Sequence, residues 1–255
     1  MVRPRIPSTA RLGPVLLVGG LDPSGHAGVL ADARVFERVG IPYQVALTAL
    51  TAQSEKKFFV WEPVSIPLFR AQLEAAGRRI QGVKLGMLAT PAHVQALLGW
   101  LKKICPRFVV WDPVLRSSTG TLLFRGKAEH PSLRELWRQS DAVTPNWPEA
   151  EWLFGNRIRD FSEAEAAVES LYRRGKIRGR FIVLKGGHAS DAKVAIDLVR
   201  HSGGLTSLRA PRRPGSRRGS GCTFASALLA GLYQGKDPVA AARFAKREVL
   251  KRLFD

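Results

Sequence analysis

The sequence has few cysteines, few acidic residues and no long apolar run, and each shortage excludes a class of protein. Two cysteines, Cys105 and Cys222, in 255 residues do not make a disulfide framework, which indicates a reducing compartment. No apolar run approaches the roughly 18 to 20 residues that cross a bilayer. No apolar signal segment follows the basic N-terminal residues either. We therefore expect a cytoplasmic protein with no membrane partner.

The shortage of acidic residues gives the chain a formal charge of +19, from 40 lysines and arginines against 21 aspartates and glutamates. Such a charge favours anionic ligands, and nucleic acid is one candidate. The arginines are scattered over many predicted helices, however, and we find no nucleic-acid-binding motif. We therefore favour solvated basic faces and a phosphorylated substrate over a nucleic-acid partner. The basic run 212–218 differs from the rest because it adjoins a glycine-rich loop.

Internal repeats, low-complexity tracts and Gly/Ser linkers are also absent, which predicts a single domain over residues 14–255. Residues 1–13 are basic, contain proline and lack acids, so we expect a flexible N-terminal extension. An aliphatic run at 15–18 and a helix at 30–39, closed by Gly40, begin a pattern of alternating strands and helices. The pattern predicts an α/β fold with a doubly wound, mostly parallel sheet flanked by helices.

Apolar runs and capping residues predict the remaining elements. Strands are expected at 44–50, 82–87, 108–111, up to 143 and at 181–184, with antiparallel or edge strands within 193–199 and 205–210. Helices are expected at 67–80, 91–104 and 131–139. A further helix is expected from a Ser162/Glu165 capping box to Arg174, with Gly175 as its stop. Two more are expected, one from 223 to about 234 with Gly235 as its stop, and one that begins after Asp237-Pro238.

The stretch 217–223, Arg-Arg-Gly-Ser-Gly-Cys-Thr, leads into an Ala/Leu-rich helix. Gly219 and Gly221 allow the backbone to approach a ligand closely. The start of the helix offers unpaired N–H groups and the positive end of the helix dipole. These features predict an anion-binding loop, and the alternative is an ordinary glycine-rich turn that caps a helix. In that field we expect the pKa of the Cys222 thiol to be lowered.

Polar residues follow several predicted strands. Asp112, Asn146 with Glu149, and Lys185 each come after a strand, at the sheet edge where open α/β sheets place their ligands. The alternative for Asp112 is a turn signal with Pro113. The alternative for Glu149 is an acid that stabilises a helix N-terminus.

Seven motifs carry a resemblance over residues 15 to about 250. They are GLDPSGHAGVLAD at 20–32, TALTAQ at 48–53, KLGML at 84–88, WDPV at 111–114, TPNWPEA at 144–150, KGGH at 185–188 and GSGCT at 219–223. In this order and approximate spacing, the chain resembles the hydroxymethylpyrimidine/phosphomethylpyrimidine kinases of thiamine biosynthesis, within the ribokinase-like group. The resemblance implies phosphorylation of a hydroxymethylpyrimidine, or of its monophosphate, by ATP and Mg²⁺.

By position, the resemblance assigns the pyrimidine pocket. Gln53 and Asp32 would contact the edge of the pyrimidine, and a side-chain amide offers a donor and an acceptor to an aminopyrimidine. Gly20, Met87 and Val114 would line the pocket, where a thioether and an aliphatic group cover a flat ring. The alternatives are core packing for Met87 and the end of a surface strand for Gln53.

The resemblance also assigns the nucleotide side of the site. Lys185 would meet the ATP phosphates as a point charge. Asn146 with Glu149 would order magnesium and its waters, with help from Asp112, because Mg²⁺ favours oxygen ligands. These residue types fit phosphoryl transfer, which depends mostly on positioning and charge neutralisation.

The glycine loop completes the implied site. Gly219, Gly221 and Lys185 would be catalytic together with Cys222, whose thiolate would act as base for the attacking hydroxyl. The loop backbone, including Ser220 and Thr223, would bind the nucleotide. The alternative for Cys222 is a small residue packed under the loop.

Several departures from the family pattern keep other hypotheses open, and His26, where the family usually has glycine, is one of them. Arg218 stands where histidine commonly precedes the loop, and residues 117–120, Ser-Ser-Thr-Gly, replace alanine-lysine-serine-glycine. Arg116, Arg217 or Arg218 would then supply the basic residue that the change at 117–120 removes. A pyridoxal-type vitamin kinase of the same fold is one alternative, and a non-catalytic relative that binds a phosphopyrimidine or nucleic acid is another. The resemblance leaves a homodimer open.

Overall fold

The computed structural model describes residues 13–54, 57–117, 119–155, 157–174, 180–186, 194–211 and 218–254. Several sequence predictions lie outside these ranges: the N-terminal extension up to residue 12, Ser118, the helix stop Gly175, the motif residues Gly187 and His188, Lys193, and the basic run through Arg217.

Nine strands form one sheet in the order β3-β2-β1-β4-β5-β6-β7-β8-β9 among the described residues. They are β1 Val15–Leu21, β2 Tyr43–Gln53, β3 Phe58–Pro63, β4 Gly82–Leu85, β5 Phe108–Trp111, β6 Ala142–Val143, β7 Phe181–Leu184, β8 Val194–His201 and β9 Gly204–Pro211. Strands β2, β1, β4, β5, β6 and β7 are parallel, while β3, β8 and β9 add antiparallel edges. The predicted mostly parallel sheet is confirmed.

Eight helices in the described ranges cover the two faces of the sheet. They are α1 Gly28–Val39, α2 Ile66–Ala75, α3 Pro91–Ile104, α4 Pro131–Gln139, α5 Trp147–Phe154, α6 Phe161–Arg174, α7 Ser220–Tyr233 and α8 Pro238–Phe254. Buried residues of α2 to α6 pack on one face of the sheet, and those of α1, α7 and α8 pack on the other. No helix in these ranges is both long enough and apolar enough to span a bilayer.

Strand β1 shows why a central strand has no polar face. Leu16 and Val18 join one core, Val15 and Leu17 join the other, and all four are fully buried. A parallel strand that is covered by helices on both faces has a continuous aliphatic sequence, and this pattern predicted β1. The same reasoning correctly placed β5 and β7.

Local capping signals predicted some helix ends correctly and others wrongly. Thr90 caps α3 by accepting a hydrogen bond from His93 N, as expected. The predicted Ser162/Glu165 capping box of α6 is wrong, because the cap lies two residues earlier, where the Asp160 carboxylate accepts from Glu163 N. Helix α2 ends at Ala75 rather than at residue 80, and Gly77 adopts a positive φ of 74° just beyond it.

Strand β3 was not predicted. Its sequence, FFVWEP, is apolar without alternation, and Phe59 and Val60 are exposed at the sheet edge. This strand therefore forms because its backbone pairs with the long strand β2, and not because one of its faces is buried.

Candidate active site

The sheet order reverses at β1, which lies between β2 on one side and β4 on the other. Open α/β sheets bind ligands at such a reversal, outside the carboxyl ends of their strands. A cavity of about 640 Å³ lies at this place. Twelve of the fourteen predicted site residues line it: Gly20, Asp32, Gln53, Met87, Asp112, Val114, Asn146, Glu149, Lys185, Gly219, Gly221 and Cys222.

The glycine loop forms one wall of the cavity and opens α7. Gly219 adopts φ 79° and ψ 9°, and a Cβ added there would lie 2.0 Å from the carbonyl oxygen of His26, so only glycine fits. The N–H groups of Ser220, Gly221 and Cys222 have no hydrogen-bond partner within the described part of the chain. These groups and the helix dipole give the loop the features that can bind an anion.

Gly221 faces two charged side chains. A Cβ at this position would lie 3.2 Å from Lys185 Nζ and 3.5 Å from Asp112 Oδ2. The loop, the ammonium and the carboxylate therefore surround one small space. An anion held by the loop N–H groups would lie beside Lys185.

Lys185, directly after β7, contacts a carboxylate that follows β5 and another in the first turn of α5. Its Nζ lies 2.7 Å from Asp112 Oδ1 and 3.9 Å from Glu149 Oε2. Thr144 Oγ1 donates to the same Asp112 oxygen over 3.2 Å. Burial lowers the pKa of Lys185, but the two carboxylates outweigh this effect and the pKa is raised. Lys185 is therefore a fixed cation at neutral pH.

Asn146 and Glu149 form a capping box at the start of α5. Asn146 Oδ1 accepts from Glu149 N over 2.9 Å, and Glu149 Oε2 accepts from Asn146 N over 2.8 Å. The helix-stabilising alternative for Glu149 is thus present in the structure. Burial, opposed by Lys185 and reinforced by Asp112, raises the pKa of Glu149 to about 7.

The carboxylates have oxygens left for a divalent cation. Asp112 Oδ2 and Glu149 Oε1 accept no hydrogen bond from any described residue. Over the described ranges, no three His, Cys, Asp or Glu residues lie close enough together to enclose a metal. Mg²⁺ does not need such an enclosure, because it is commonly held by one or two carboxylates, waters and substrate phosphates. Asp112 and Glu149 fit that mode of binding.

Cys222 occupies the first turn of α7, but the expectation of a lowered pKa is wrong. Burial raises the pKa of the thiol to about 11. Lys84 and the N–H of Gly28 oppose this shift, whereas Asp32 and Asp112 reinforce it. The helix N-terminus predicted from the sequence is present, but desolvation and two carboxylates outweigh it.

Lys84 is a site residue that the sequence analysis missed. It lies in β4 with its Nζ 2.9 Å from Asp32 Oδ2, and Ser226 Oγ donates to Asp32 Oδ1 over 2.8 Å. Both oxygens of Asp32 are therefore engaged by protein groups, although the residue lines the cavity as predicted. The signal was a lysine inside the aliphatic strand Gly82–Leu85, since a charge at a core position needs a partner.

Gln53 adds an amide to the lining of the cavity, and Met87 with Val114 adds apolar groups. Gln53, at the end of β2, donates from Nε2 to Thr51 Oγ1 over 2.8 Å and accepts from Arg218 at Oε1. Met87 is buried beside Val114, and a Cβ at Gly20 would lie 2.8 Å from the Met87 sulfur. Glycine at position 20 therefore leaves the space that Met87 occupies.

The two remaining predicted residues, Ser220 and Thr223, do not line the cavity. Thr223 is buried, and its hydroxyl accepts from Arg252 of α8 over 2.7 Å. Its N–H donates to the carbonyl of Gly219. Any contact of this residue with an anion would require a rearrangement, whereas Ser220 can contribute its N–H.

Two arginines in the described part of the chain line the cavity, and they differ in their contacts. Arg116 is exposed and donates to the carbonyl of Gly120 over 2.8 Å. Arg218 is partly buried and donates to Asp22 over 3.3 Å, to Gln53 and to the carbonyl of Ser54. Arg218 is thus turned toward Gln53, and Arg116 remains a candidate for the extra basic residue, as does Arg217, which lies outside the described residues.

Comparison with known proteins shows that this chain is similar to phosphomethylpyrimidine kinases and to a pyridoxal kinase. The family model described as phosphomethylpyrimidine kinase matches residues 22–254. The hydroxymethylpyrimidine/phosphomethylpyrimidine kinase of Aquifex aeolicus is 33% identical over 234 residues, covering 91% of this chain and 90% of the relative. The crystal structure of a phosphomethylpyrimidine kinase from Clostridium difficile 630 superposes with a TM-score of 0.78 at 28% identity, covering 94% of this chain and 99% of the other. The Staphylococcus aureus pyridoxal kinase in complex with AMP-PCP and pyridoxal gives 0.82 at 28% identity, covering 94% and 87%.

Proposed function

The chain belongs to the phosphomethylpyrimidine kinase family, and on that premise we propose that its cleft transfers a phosphoryl group from ATP to 4-amino-5-hydroxymethyl-2-methylpyrimidine or to its monophosphate. One observation carries this proposal. A single cavity joins the anion-binding loop at Gly219–Cys222 to the amide and thioether wall at Gln53 and Met87. Such a cavity can hold a flat heterocycle and a nucleotide phosphate with their reacting atoms together.

The ring would lie at the Gln53 end. The Gln53 amide supplies a donor and an acceptor for the aminopyrimidine edge, while Met87 and Val114 cover the ring faces. Asp32 acts indirectly, because its carboxylate is taken up by Lys84 and Ser226. We assign Asp32 to holding Lys84 beneath the cavity rather than to a direct contact with the ring.

The phosphates would lie at the loop end. The unpaired N–H groups of Ser220, Gly221 and Cys222 point to a site for the transferred phosphoryl group, and Lys185 neutralises its charge from beside Gly221. Asp112 and Glu149 would hold Mg²⁺ through their uncommitted oxygens, and the ion would supply further charge neutralisation to the phosphates.

In the transfer step, the hydroxyl oxygen of the hydroxymethylpyrimidine, or a phosphate oxygen of its monophosphate, forms a bond to the γ-phosphorus of ATP. The bond from that phosphorus to the β,γ-bridging oxygen breaks and releases ADP. With the hydroxymethylpyrimidine, the hydroxyl proton passes to the Cys222 thiolate. Because the thiol is protonated in the free protein at neutral pH, it must first release its own proton to solvent as ATP and the substrate bind. Lys84 and Lys185 are cations that favour the thiolate.

Pyridoxal phosphorylation is the second candidate, because the pyridoxal kinase structure superposes as well as the pyrimidine kinase structure does. We propose to measure ADP release with ATP and each of three substrates: the hydroxymethylpyrimidine, its monophosphate and pyridoxal. Rapid turnover of either pyrimidine supports the proposal, and a preference for pyridoxal replaces it with the second candidate. A folded protein that is inert toward all three would overturn the enzymatic account and leave a binding protein.

A further inference from the structure

We propose that Arg218 is a specificity-determining residue, which fixes the Gln53 amide in one orientation and thereby selects a ring that carries an exocyclic amine rather than a carbonyl at its recognised edge. This inference rests on the proposed function, because it assumes that Gln53 reads the substrate ring. Arg218 is a positioning residue in this account, and it acts through Gln53.

One side of the amide is fixed by a chain of hydrogen bonds that can run in only one direction. The carbonyl oxygen of Leu21 can only accept, so the Thr51 hydroxyl donates to it over 2.9 Å. With its proton used in this way, Thr51 Oγ1 accepts from Gln53 over 2.8 Å. The nitrogen of the amide therefore faces Thr51.

The other side of the amide is fixed by a group that can only donate. A guanidinium carries five N–H donors and no acceptor, so the Gln53 atom that meets Arg218 must be the oxygen. Asp22 and the carbonyl of Ser54 hold Arg218 in turn. The side chain of Arg218 is 12% exposed and that of Asp22 is 2% exposed, so water competes little for these bonds.

The backbone of Arg218 is held as well. Its carbonyl accepts from Arg252 Nη2 over 3.0 Å, and the same nitrogen donates to the carbonyl of His26 over 2.6 Å. Arg218 directly precedes Gly219, the N-cap of α7. The residue that orients Gln53 is therefore anchored to the anion-binding loop.

Fixing both ends leaves Gln53 one free N–H on its nitrogen and one free lone pair on its oxygen. A ring nitrogen next to an exocyclic amine presents the complementary acceptor and donor. The amine then lies on the Arg218 side, and the ring nitrogen lies on the Thr51 side. A 4-oxo ring in its lactam form presents the opposite pattern, a ring N–H beside a carbonyl, and would meet donor against donor and acceptor against acceptor.

The test compares the 4-amino substrate with its 4-oxo analogue, 5-hydroxymethyl-2-methylpyrimidin-4-one, through the ratio of their kcat/KM values. We expect the unmodified protein to prefer the amine by about 100-fold or more, since a mispaired buried polar edge is strongly rejected. Arg218→Met releases the oxygen, and the amide can turn over once the Thr51 hydroxyl rotates. The ratio should then fall by about tenfold or more, mainly through KM for the pyrimidine.

Three further variants make the result specific. Arg116→Ala removes an arginine from the same cavity without touching Gln53, so it should change both substrates alike and leave the ratio unchanged. Arg218→Lys restores a donor-only group and should recover much of the preference. Thr51→Val removes the partner on the other side of the amide but leaves Arg218 against its oxygen, so this variant should keep most of the preference, whether or not Arg218→Met folds.

An Arg218→Met protein that keeps the full preference for the amine, or a Thr51→Val protein that loses the preference altogether, would overturn the inference. Equal use of both rings by the unmodified protein would overturn it as well. These outcomes leave the proposed function standing, because the 4-amino substrate is still phosphorylated. Failure of the unmodified protein to use the 4-amino substrate would instead remove the proposed function, and the inference with it.

Discussion

Lys84 and Asp32 form an ion pair of 2.9 Å beneath the site, and both side chains are about 1% exposed. Burial lowers the pKa of Lys84, but Asp32, with smaller contributions from Cys222 and Asp112, outweighs it and raises the pKa overall. The pair connects β4 to α1, and Ser226 connects it to α7. It therefore fixes a positive charge near Cys222 and joins three elements that build the cleft.

Removing one partner of this pair should destabilise the protein. Lys84→Met leaves Asp32 as a buried charge without its cation, and such losses cost about 3 to 5 kcal/mol. Denaturant unfolding measures the change. Lys103→Ala, which breaks an exposed pair with Glu74, should cost less than about 1 kcal/mol. Equal effects of the two variants would show that the buried pair is not a structural anchor.

The rate at which Cys222 is alkylated should rise steeply with pH. Burial places its pKa at about 11, so the reactive thiolate is scarce at pH 7 and increases about tenfold per pH unit below that value. Iodoacetamide labelling followed by mass spectrometry can measure this, with the exposed Cys105 as an internal reference. A rate for Cys222 that is already at its plateau at pH 7 would contradict the account of the buried thiol.

The two loop glycines should respond differently to alanine. Gly219→Ala requires a positive φ and puts a Cβ 2.0 Å from a backbone oxygen, so it should cost several kcal/mol or prevent folding. Gly221→Ala meets only Lys185 Nζ at 3.2 Å and Asp112 Oδ2 at 3.5 Å. It should fold well and lose turnover, because the methyl group fills the space proposed for the phosphoryl group. Unfolding curves together with ATP turnover separate the two effects, and an active Gly221→Ala protein would place the phosphoryl group elsewhere.

The glycine loop also shows what the sequence could and could not predict. Glycine spacing before a helix predicted an anion-binding loop, and the apolar runs predicted β1, β5 and β7, because both signals are local. The pKa of Cys222 depends on burial and on Asp32 and Asp112, which lie 190 and 110 positions earlier in the chain. The contact of Arg218 with Gln53 is equally distant in sequence. No local pattern reports such long-range effects.

Stability should depend on Glu149 between about pH 4.5 and 7. Its pKa is raised to about 7 in the folded state, so folding favours the protonated form. The contribution of Glu149 to the free energy of unfolding is fully present below about pH 4.5 and is lost as the pH rises through 7. The loss is on the order of 1 to 3 kcal/mol.

Unfolding experiments across this range, comparing the protein with Glu149→Gln, test this expectation. The difference in stability between the two should change with pH in the stated direction, while the exposed control Glu74→Gln should track the unmodified protein. A constant difference between the unmodified protein and Glu149→Gln would contradict the raised pKa. In the presence of Mg²⁺ and ATP, Glu149→Gln should also need more Mg²⁺ for half-maximal turnover, because one carboxylate ligand is lost.

The most direct test of the central claim follows the phosphorus atoms. The unmodified protein is incubated with ATP, Mg²⁺ and 4-amino-5-hydroxymethyl-2-methylpyrimidine, and products are identified by phosphorus NMR. The account predicts a new phosphomonoester of the pyrimidine in an amount equal to that of ADP. With Cys222→Ala, this ester should form about 10² to 10⁴ times more slowly, which is the rate that a general base typically contributes. ADP accompanied only by inorganic phosphate, or the same rate of ester formation with Cys222→Ala, would contradict it.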